Sequence, residues 1–168
     1  MQIHPRSAGT RLRVLAVVLA AATSCAPPAA RPMTDVEAQT IRDTVSALEN
    51  KMNLAVDALD CTKGYEVVGD REPMFVSNTR VFRKRPAFRE ACDRLVANRR
   101  GAVYAIDTLT AQVISRDGAY VVREGKYTVT MKDGTEDRQY LVMTTIWDRT
   151  SGEWKMVHLH ESYRPLAP

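Results

Sequence analysis

Turn signals divide the C-terminal half of the sequence into four strand-like segments, and this division constrains the fold more than any other feature. The first two turns are predicted at Asp117-Gly118 and Asp133-Gly134, because Asp-Gly between strand patterns is a strong hairpin signal. Thr150-Ser-Gly152 suits a three-residue loop with glycine in the left-handed position. The strands are therefore predicted at about residues 103–115, 119–131, 137–149 and 153–163, as an antiparallel meander.

The segment before the meander has helical patterns. Thr34 and Glu37 have the spacing of a capping box, and apolar residues recur behind them at steps of three and four as far as Leu59. Lys63-Gly64 is a natural end for this helix. Short strands at 74–76 and 79–82 and a helix from Pro86 to Gly101 complete the expected elements. Helices followed by a meander predict an α+β domain with N-terminal helices packed on the sheet.

The N-terminus has the features of an export signal. Residues 1–13 contain three arginines and no acid, and the apolar run that follows is shorter than the roughly 20 residues of a membrane span. Thr23-Ser-Cys25 resembles a lipobox, so residues 1–24 are predicted to be a lipoprotein signal peptide and Cys25 the site of lipid attachment. Ordinary cleavage after Ala22 is the alternative, and it would leave Cys25 unmodified.

Removal of this signal would leave a tethered domain outside the cytoplasm. Residues 25–33 are rich in proline and alanine and are predicted to be a tether, and residues 34–166 have the size of one domain. Ala26 is not an inner-membrane retention signal of the Asp type, so the outer membrane is favoured where the cell has one. The expected location is the periplasmic face of a membrane, held by the lipid alone.

The charge of the processed chain excludes one class of partner. The whole sequence has 24 Lys and Arg against 20 Asp and Glu, but three arginines belong to the predicted signal. The remaining chain is nearly neutral, so no nucleic acid is expected as a partner. Two cysteines remain besides Cys25. Cys61 and Cys92 can form one disulfide in an exported protein, or stay as two buried thiols.

The predicted turns also set which side chains share a face of the sheet. One face combines an apolar floor with polar groups: Asp107, Val122, Glu124, Lys126, Gln139, Leu141, Met143, Thr145, Val157, Leu159, Glu161 and Tyr163. The other contains Tyr127, Val129, Tyr140, Val142, Ile146, Trp154, Met156, His158 and His160. Composition alone favours the second face as the core and the first as solvated surface. Neither is plainly polar, so we expect a second copy of the chain to cover one of them.

The closing part of the sequence resembles a known superfamily. The run from Trp147 to Trp154, followed by Val157-His-Leu-His-Glu-Ser162, is similar to the association domain of calcium/calmodulin-dependent protein kinase, in the nuclear transport factor 2-like superfamily. The opening part resembles SnoaL-like members, and the resemblance covers about residues 34–164. It implies a cystatin-like cone, in which helices cover the concave side of a strongly curved sheet and leave a pocket, and the outer side often meets a second subunit.

The resemblance places the first face inside, as the pocket, and makes the second face the homodimer surface. The kinase domain has arginines at the positions of Thr145 and Glu161, so its acidic ligands are not carried over. An apolar concavity with a few polar groups is typical of a small-molecule site. Lys126 and Glu161 are expected close enough to pair across it.

Three functions are compatible with these patterns. The first is a small-molecule-binding or scaffold module of the envelope, and the second is an enzyme resembling SnoaL-like cyclases or ketosteroid isomerases, with Glu124 or Glu161 as general base. The third is a structural lipoprotein whose cavity is filled by its own side chains. His158 and His160 lie two apart on one strand without an obvious third ligand, so packing is favoured over a metal site. No cofactor is expected, because the motifs for nucleotide and zinc-protease sites are absent.

Overall fold

The computed structural model describes residues 31–70 and 73–166, and Met33–Pro168 form one compact unit. The predicted signal peptide, Cys25 and the tether as far as residue 30 lie outside the described residues. The helices are α1 Asp35–Asp57, α2 Cys61–Tyr65 and α3 Arg85–Val96. The strands are β1 Met74–Ser77, β2 Arg80–Phe82, β3 Arg99–Ser115, β4 Gly118–Met131, β5 Glu136–Asp148 and β6 Lys155–Pro165. No helix in the described ranges has the length and apolar character needed to cross a membrane.

Helix α1 begins as predicted but ends earlier. Thr34 accepts a hydrogen bond from the Glu37 backbone at 3.2 Å, and the Glu37 carboxylate accepts one from the Thr34 backbone at 2.8 Å. The predicted end at Lys63-Gly64 is wrong, because the chain turns at Leu59, whose φ is 56°. Asp60 then caps α2 by accepting a hydrogen bond from the Lys63 backbone at 3.0 Å. This break makes α2 a separate helix that packs against α1 and α3.

The sheet has six strands in the order β2-β1-β6-β5-β4-β3. Strands β3 to β6 form the predicted antiparallel meander, and the helices pack against it, so the predicted α+β class is confirmed. Strand β1 pairs in parallel with β6, which the sequence patterns did not indicate, and it places Ser77 beside Glu161.

The predicted register of β4 is wrong by one residue against β5 and by three residues against the facing part of β3, and these odd shifts reverse its two faces. A bulge between Val113 and Ser115 shifts the first hairpin, and the second hairpin has five residues between the paired Thr130 and Glu136, which does not fit a two-residue turn at Asp133-Gly134. In that loop the Asp133 side chain accepts from the Thr135 backbone at 2.9 Å. An odd loop or a bulge changes which side of the pleat each later residue occupies.

Several predicted pocket and interface residues are therefore on the opposite side. Val122, Glu124 and Lys126 are on the convex face, Asp107 is exposed at a second bulge, and Val157 is half-buried at a bulge of β6. Tyr127, Val129 and Met156, predicted for the dimer surface, are buried in the core instead. Trp154 precedes β6 and packs against that core. The residues of β5 and of the end of β6 lie on the predicted faces, because the observed register between these strands differs from the predicted one by an even number of residues.

Strand β4 crosses β3 closely at the bulge between Ile106 and Thr108. Gly125 lies at this crossing, and a Cβ atom there would be 2.1 Å from the backbone oxygen of Ala105. Only glycine fits this approach. The crossing helps to curve the sheet toward α1.

Candidate functional site

A cavity of about 490 Å³ lies between the concave face of the sheet, the end of α1, helices α2 and α3, and the β1–β2 hairpin. Its walls are mostly apolar, with Val56, Leu59 and Phe82 on the helix and hairpin side. Of the predicted pocket residues, those that line it are Met143, Leu159, Glu161 and Tyr163. Leu141 and Thr145 are buried on the same side of β5, and Gln139 is half-buried near its start.

Glu161 is the acidic group at the centre of the polar part of this cavity. Its carboxylate accepts hydrogen bonds from the hydroxyls of Ser77 and Tyr163. Burial raises the pKa of Glu161 above its usual 4.5, and these hydrogen bonds and the charges of Arg123 and Arg99 act in the opposite direction. The balance favours the protonated form more than in water, and a carboxylate with a raised pKa is a stronger base than a free one.

Two tyrosines and an arginine extend the polar group around Glu161. Burial and the neighbouring Glu161 raise the pKa of Tyr163, so its hydroxyl stays a donor. Arg99 donates a hydrogen bond from Nη1 to the Tyr127 hydroxyl at 2.7 Å. Burial also raises the pKa of Tyr127. These groups line the same cavity as Glu161, so a bound molecule would meet a carboxyl group, hydroxyl donors and a guanidinium together.

Below the cavity, Arg123 and Glu49 form a buried ion pair. Their side chains are 1% and 0% exposed, and Arg123 Nε lies 3.5 Å from Glu49 Oε2 without a hydrogen bond between those atoms. Glu49 Oε1 accepts hydrogen bonds from the Thr145 hydroxyl and from Trp147 Nε1, the latter at 3.0 Å. The Arg123 guanidinium also stacks 4.9 Å from the centre of the Tyr104 ring. This arrangement holds a positive charge at the floor of the cavity, beside Glu161.

The other predicted base, Glu124, is not in the cavity. It is on the convex face, where it accepts hydrogen bonds from the Thr108 hydroxyl at 2.9 Å and the Tyr140 hydroxyl at 3.3 Å. The expected pairing of Lys126 with Glu161 is likewise wrong, because Lys126 is exposed on that convex face. Glu161 is therefore the candidate base that the structure places against the cavity.

The sequence matches the SnoaL-like domain over residues 45–167. The chain belongs to the SnoaL-like domain family. Comparison with curated proteins found no match. The family and its structural relatives agree with the nuclear transport factor 2-like resemblance inferred from the closing strands.

Solved structures share the fold of this SnoaL-like domain at low sequence identity. Hexachlorocyclohexane dehydrochlorinase LinA-type3 from Novosphingobium barchaimii LL02 has a TM-score of 0.67 and 15% identity, over 80% of this chain and 95% of that one. A nuclear transport factor 2-like superfamily protein from Salmonella enterica serovar Typhimurium has a TM-score of 0.67 and 17% identity, over 77% of this chain and 94% of that one. A protein with a cystatin-like fold from Caulobacter vibrioides has a TM-score of 0.64 and 18% identity, over 75% of this chain and 89% of that one. These likenesses establish the fold.

One side of the cavity of this SnoaL-like domain is closed by a cross-linked pair of helices. Cys61 of α2 and Cys92 of α3 form a disulfide, with their Cα atoms 6.0 Å apart. Phe88 of α3 stacks on Phe75 with ring centres 4.2 Å apart and also contacts Tyr65 at 5.4 Å. Helix α3 is thus held over the cavity by a covalent bond and an aromatic cluster.

The convex face of the sheet retains part of the predicted dimer surface, namely Tyr140, Val142, Ile146, His158 and His160. Val142 and Ile146 are 38% and 37% exposed, which leaves an apolar strip available for contact. Within the described residues, no group of three or more His, Cys, Asp and Glu side chains is placed to hold a metal ion.

Three charged residues of the site were missed in the sequence, although two of them carried a signal. Glu49 follows Val45 by four residues and precedes Met52 by three, so it falls on the apolar stripe of α1. Arg123 is in the alternating buried series of β4, which also includes Val121 and Tyr127. Arg99 lies at the first position of β3, and no local pattern marks it.

Proposed function

We propose that this domain is an enzyme that moves a proton on a small, mainly apolar molecule, with Glu161 as the general base. The observation that carries the proposal is a carboxyl group with a raised pKa in an apolar cavity, held by hydrogen bonds from Ser77 and Tyr163. A base of this kind is most effective when its pKa is closer to the working pH than that of a free carboxyl group.

The chemistry that fits these groups is removal of a proton from a carbon next to a carbonyl or a leaving group. The Glu161 carboxylate takes the proton, and the C–H electron pair forms a carbon–carbon double bond as charge moves to the carbonyl oxygen or the leaving group departs. Arg99 and Arg123 supply positive charge near the developing anion, which is the kind of fixed electrostatic stabilisation that lowers such barriers. The dehydrochlorinase among the structural relatives is named for an elimination, and this supports the same reaction class here.

The test is hydrogen exchange in a panel of small apolar ketones, such as 2-tetralone, incubated in D₂O with the full-length protein. Mass spectrometry measures how much deuterium enters the carbon next to the carbonyl. Exchange should be faster with the wild-type protein than in buffer alone, and Glu161→Gln should reduce the protein-dependent rate by about 10²- to 10⁴-fold. Glu124→Gln on the convex face is the matched control and should leave the rate unchanged. Equal rates for the wild type and Glu161→Gln across the panel would contradict the proposal.

A binding or scaffold module is the second candidate. The size of the cavity, about 490 Å³ with mostly apolar walls, suits retention of a small molecule without any reaction. In that case ligands would bind, and the exchange rate would be independent of Glu161. The same experiment therefore separates the two functions.

We also propose that the protein is exported, lipidated at Cys25 and dimeric through the convex face. The Cys61–Cys92 disulfide supports export, because such bonds persist in oxidising compartments. Labelling of cells with a fatty-acid probe should mark the wild type and leave Cys25→Ser unmarked and detached from the membrane fraction. Equal labelling of both proteins would contradict lipidation at Cys25.

A further inference from the structure

We infer that the molecule bound in this cavity carries a carboxylate, and that Arg99 is the residue that binds it. The inference deepens the proposed function in one respect only, since it takes the same cavity as the ligand site. It concerns binding and requires no proton transfer.

Arg99 lines the cavity and has hydrogen-bond donors that it does not use within the described residues. A guanidinium group has five N–H donors, and Arg99 uses Nη1 toward the Tyr127 hydroxyl at 2.7 Å. The Tyr127 ring lies 5.8 Å from the Arg99 guanidinium carbon and restricts its movement. Across residues 31–70 and 73–166, no carboxylate lies within ion-pair distance of Arg99, and its remaining donors have no acceptor.

The charges that line the cavity leave an excess of one positive charge. Two of the arginines have acidic partners, since Arg123 lies 3.5 Å from Glu49 and Arg94 lies 3.8 Å from Glu90. The Asp60 carboxylate lies 3.3 Å from Lys63 Nζ. What remains in the lining is Arg80 at the exposed rim and Arg99 inside, against Glu161 in the ionised form that acts as a base. A ligand with one negative charge balances this set.

The geometry favours a carboxylate over other anions. A planar guanidinium with adjacent free N–H groups matches the two oxygens of a carboxylate and forms two parallel hydrogen bonds with it. A dianion such as a phosphate monoester would exceed the one-charge excess, whereas a monocarboxylate matches it. The rest of the ligand must be apolar, because Val56, Leu159 and Phe82 form the surrounding walls. The expected ligand class is therefore a small aryl or alkyl monocarboxylate.

Two probes of nearly equal shape test this inference, 4-phenylbutyrate and its neutral amide, 4-phenylbutyramide. Calorimetric titration of the full-length protein should show the carboxylate binding about 10- to 100-fold more tightly than the amide, as a charge-assisted contact requires. Arg99→Met should bring the two affinities together while leaving amide binding within a factor of about three. Unchanged amide binding also shows that the variant is folded around an intact cavity. Arg100→Met, at the neighbouring exposed position, is the matched control and should keep the preference.

Equal affinity of the wild type for the two probes, no binding of the carboxylate, or a preference that survives Arg99→Met would overturn the inference. Its failure is distinguishable from failure of the proposed function. A carboxylate preference without Glu161-dependent proton exchange would support the anion site and contradict the base. Glu161-dependent proton exchange without a carboxylate preference would support the base and contradict the anion site.

Discussion

Replacing Glu49 with alanine should strongly destabilise the domain, because it leaves the Arg123 charge buried without a partner. Both side chains are almost completely excluded from solvent, and the Thr145 hydroxyl loses its acceptor in the same step. Removal of one member of a buried ion pair costs about 3 to 5 kcal/mol, a large part of the 5 to 15 kcal/mol that typically holds a domain together. With a urea dependence of about 1.5 kcal/mol per molar, the unfolding midpoint should fall by about 2 to 3 M.

Urea denaturation followed by tryptophan fluorescence measures this change, and two further variants make it specific. Lys126→Ala, on the exposed face that the sequence patterns assigned to the pocket, should change stability by less than about 0.5 kcal/mol. Combining Glu49→Leu with Arg123→Met removes both charges and should recover most of the loss, since apolar pairs often replace buried ion pairs at little cost. A loss below about 1 kcal/mol for Glu49→Ala, or no recovery in the double variant, would refute this account of the cavity floor.

Three further changes test the fold, the cross-link and the convex face. Gly125→Ala should lower the free energy of unfolding by about 2 kcal/mol or more, measured by thermal or urea denaturation. Gly101→Ala is the control and should be nearly neutral, because a Cβ there meets nothing within 4 Å. Equal effects of the two substitutions would contradict the close crossing of β3 and β4. Replacing both Cys61 and Cys92 with serine removes a cross-link with a sequence separation of 31, and the free energy of unfolding should fall by about 3 to 4 kcal/mol. Unchanged stability would argue against the cross-link as a stabilising element. Sedimentation velocity should show a dimer for the wild type and a monomer for Ile146→Asp, and a wild-type monomer would exclude the convex face as a dimer surface.

The elements that were predictable are those with local signals. The start of α1 is marked by Thr34 and Glu37, and the meander is marked by turn residues between alternating segments. The parallel pairing of β1 with β6 was not predictable in this way, because Ser77 and Glu161 are far apart in sequence and no local pattern connects them. The break of α1 at Leu59 was missed because the helix was extended past the last residue of the apolar pattern to the stop signal at Lys63-Gly64.

The candidate site was only partly predictable, since its composition depends on register. Glu161 was identified because the observed register of β6 differs from the predicted one by two residues, which preserves its face. The bulge near Val113 and the odd number of residues between the paired Thr130 and Glu136 exchanged Glu124 for Arg123. Bulges and odd loops follow from tertiary fit more than from local composition, and one such residue reverses a whole strand. Arg99 enters the site through the packing of β3 against Tyr127.

The measurement that tests the central claim most directly is an NMR titration of the Glu161 carboxyl carbon in the full-length protein, assigned by its absence in Glu161→Gln. The account predicts a pKa above 4.5, because burial by the cavity walls outweighs the hydrogen bonds from Ser77 and Tyr163 and the charges of Arg99 and Arg123. A raised pKa would identify Glu161 as a carboxyl group prepared for proton transfer. A pKa at or below 4.5 would contradict the account and leave Glu161 as an ordinary ionised side chain of the cavity.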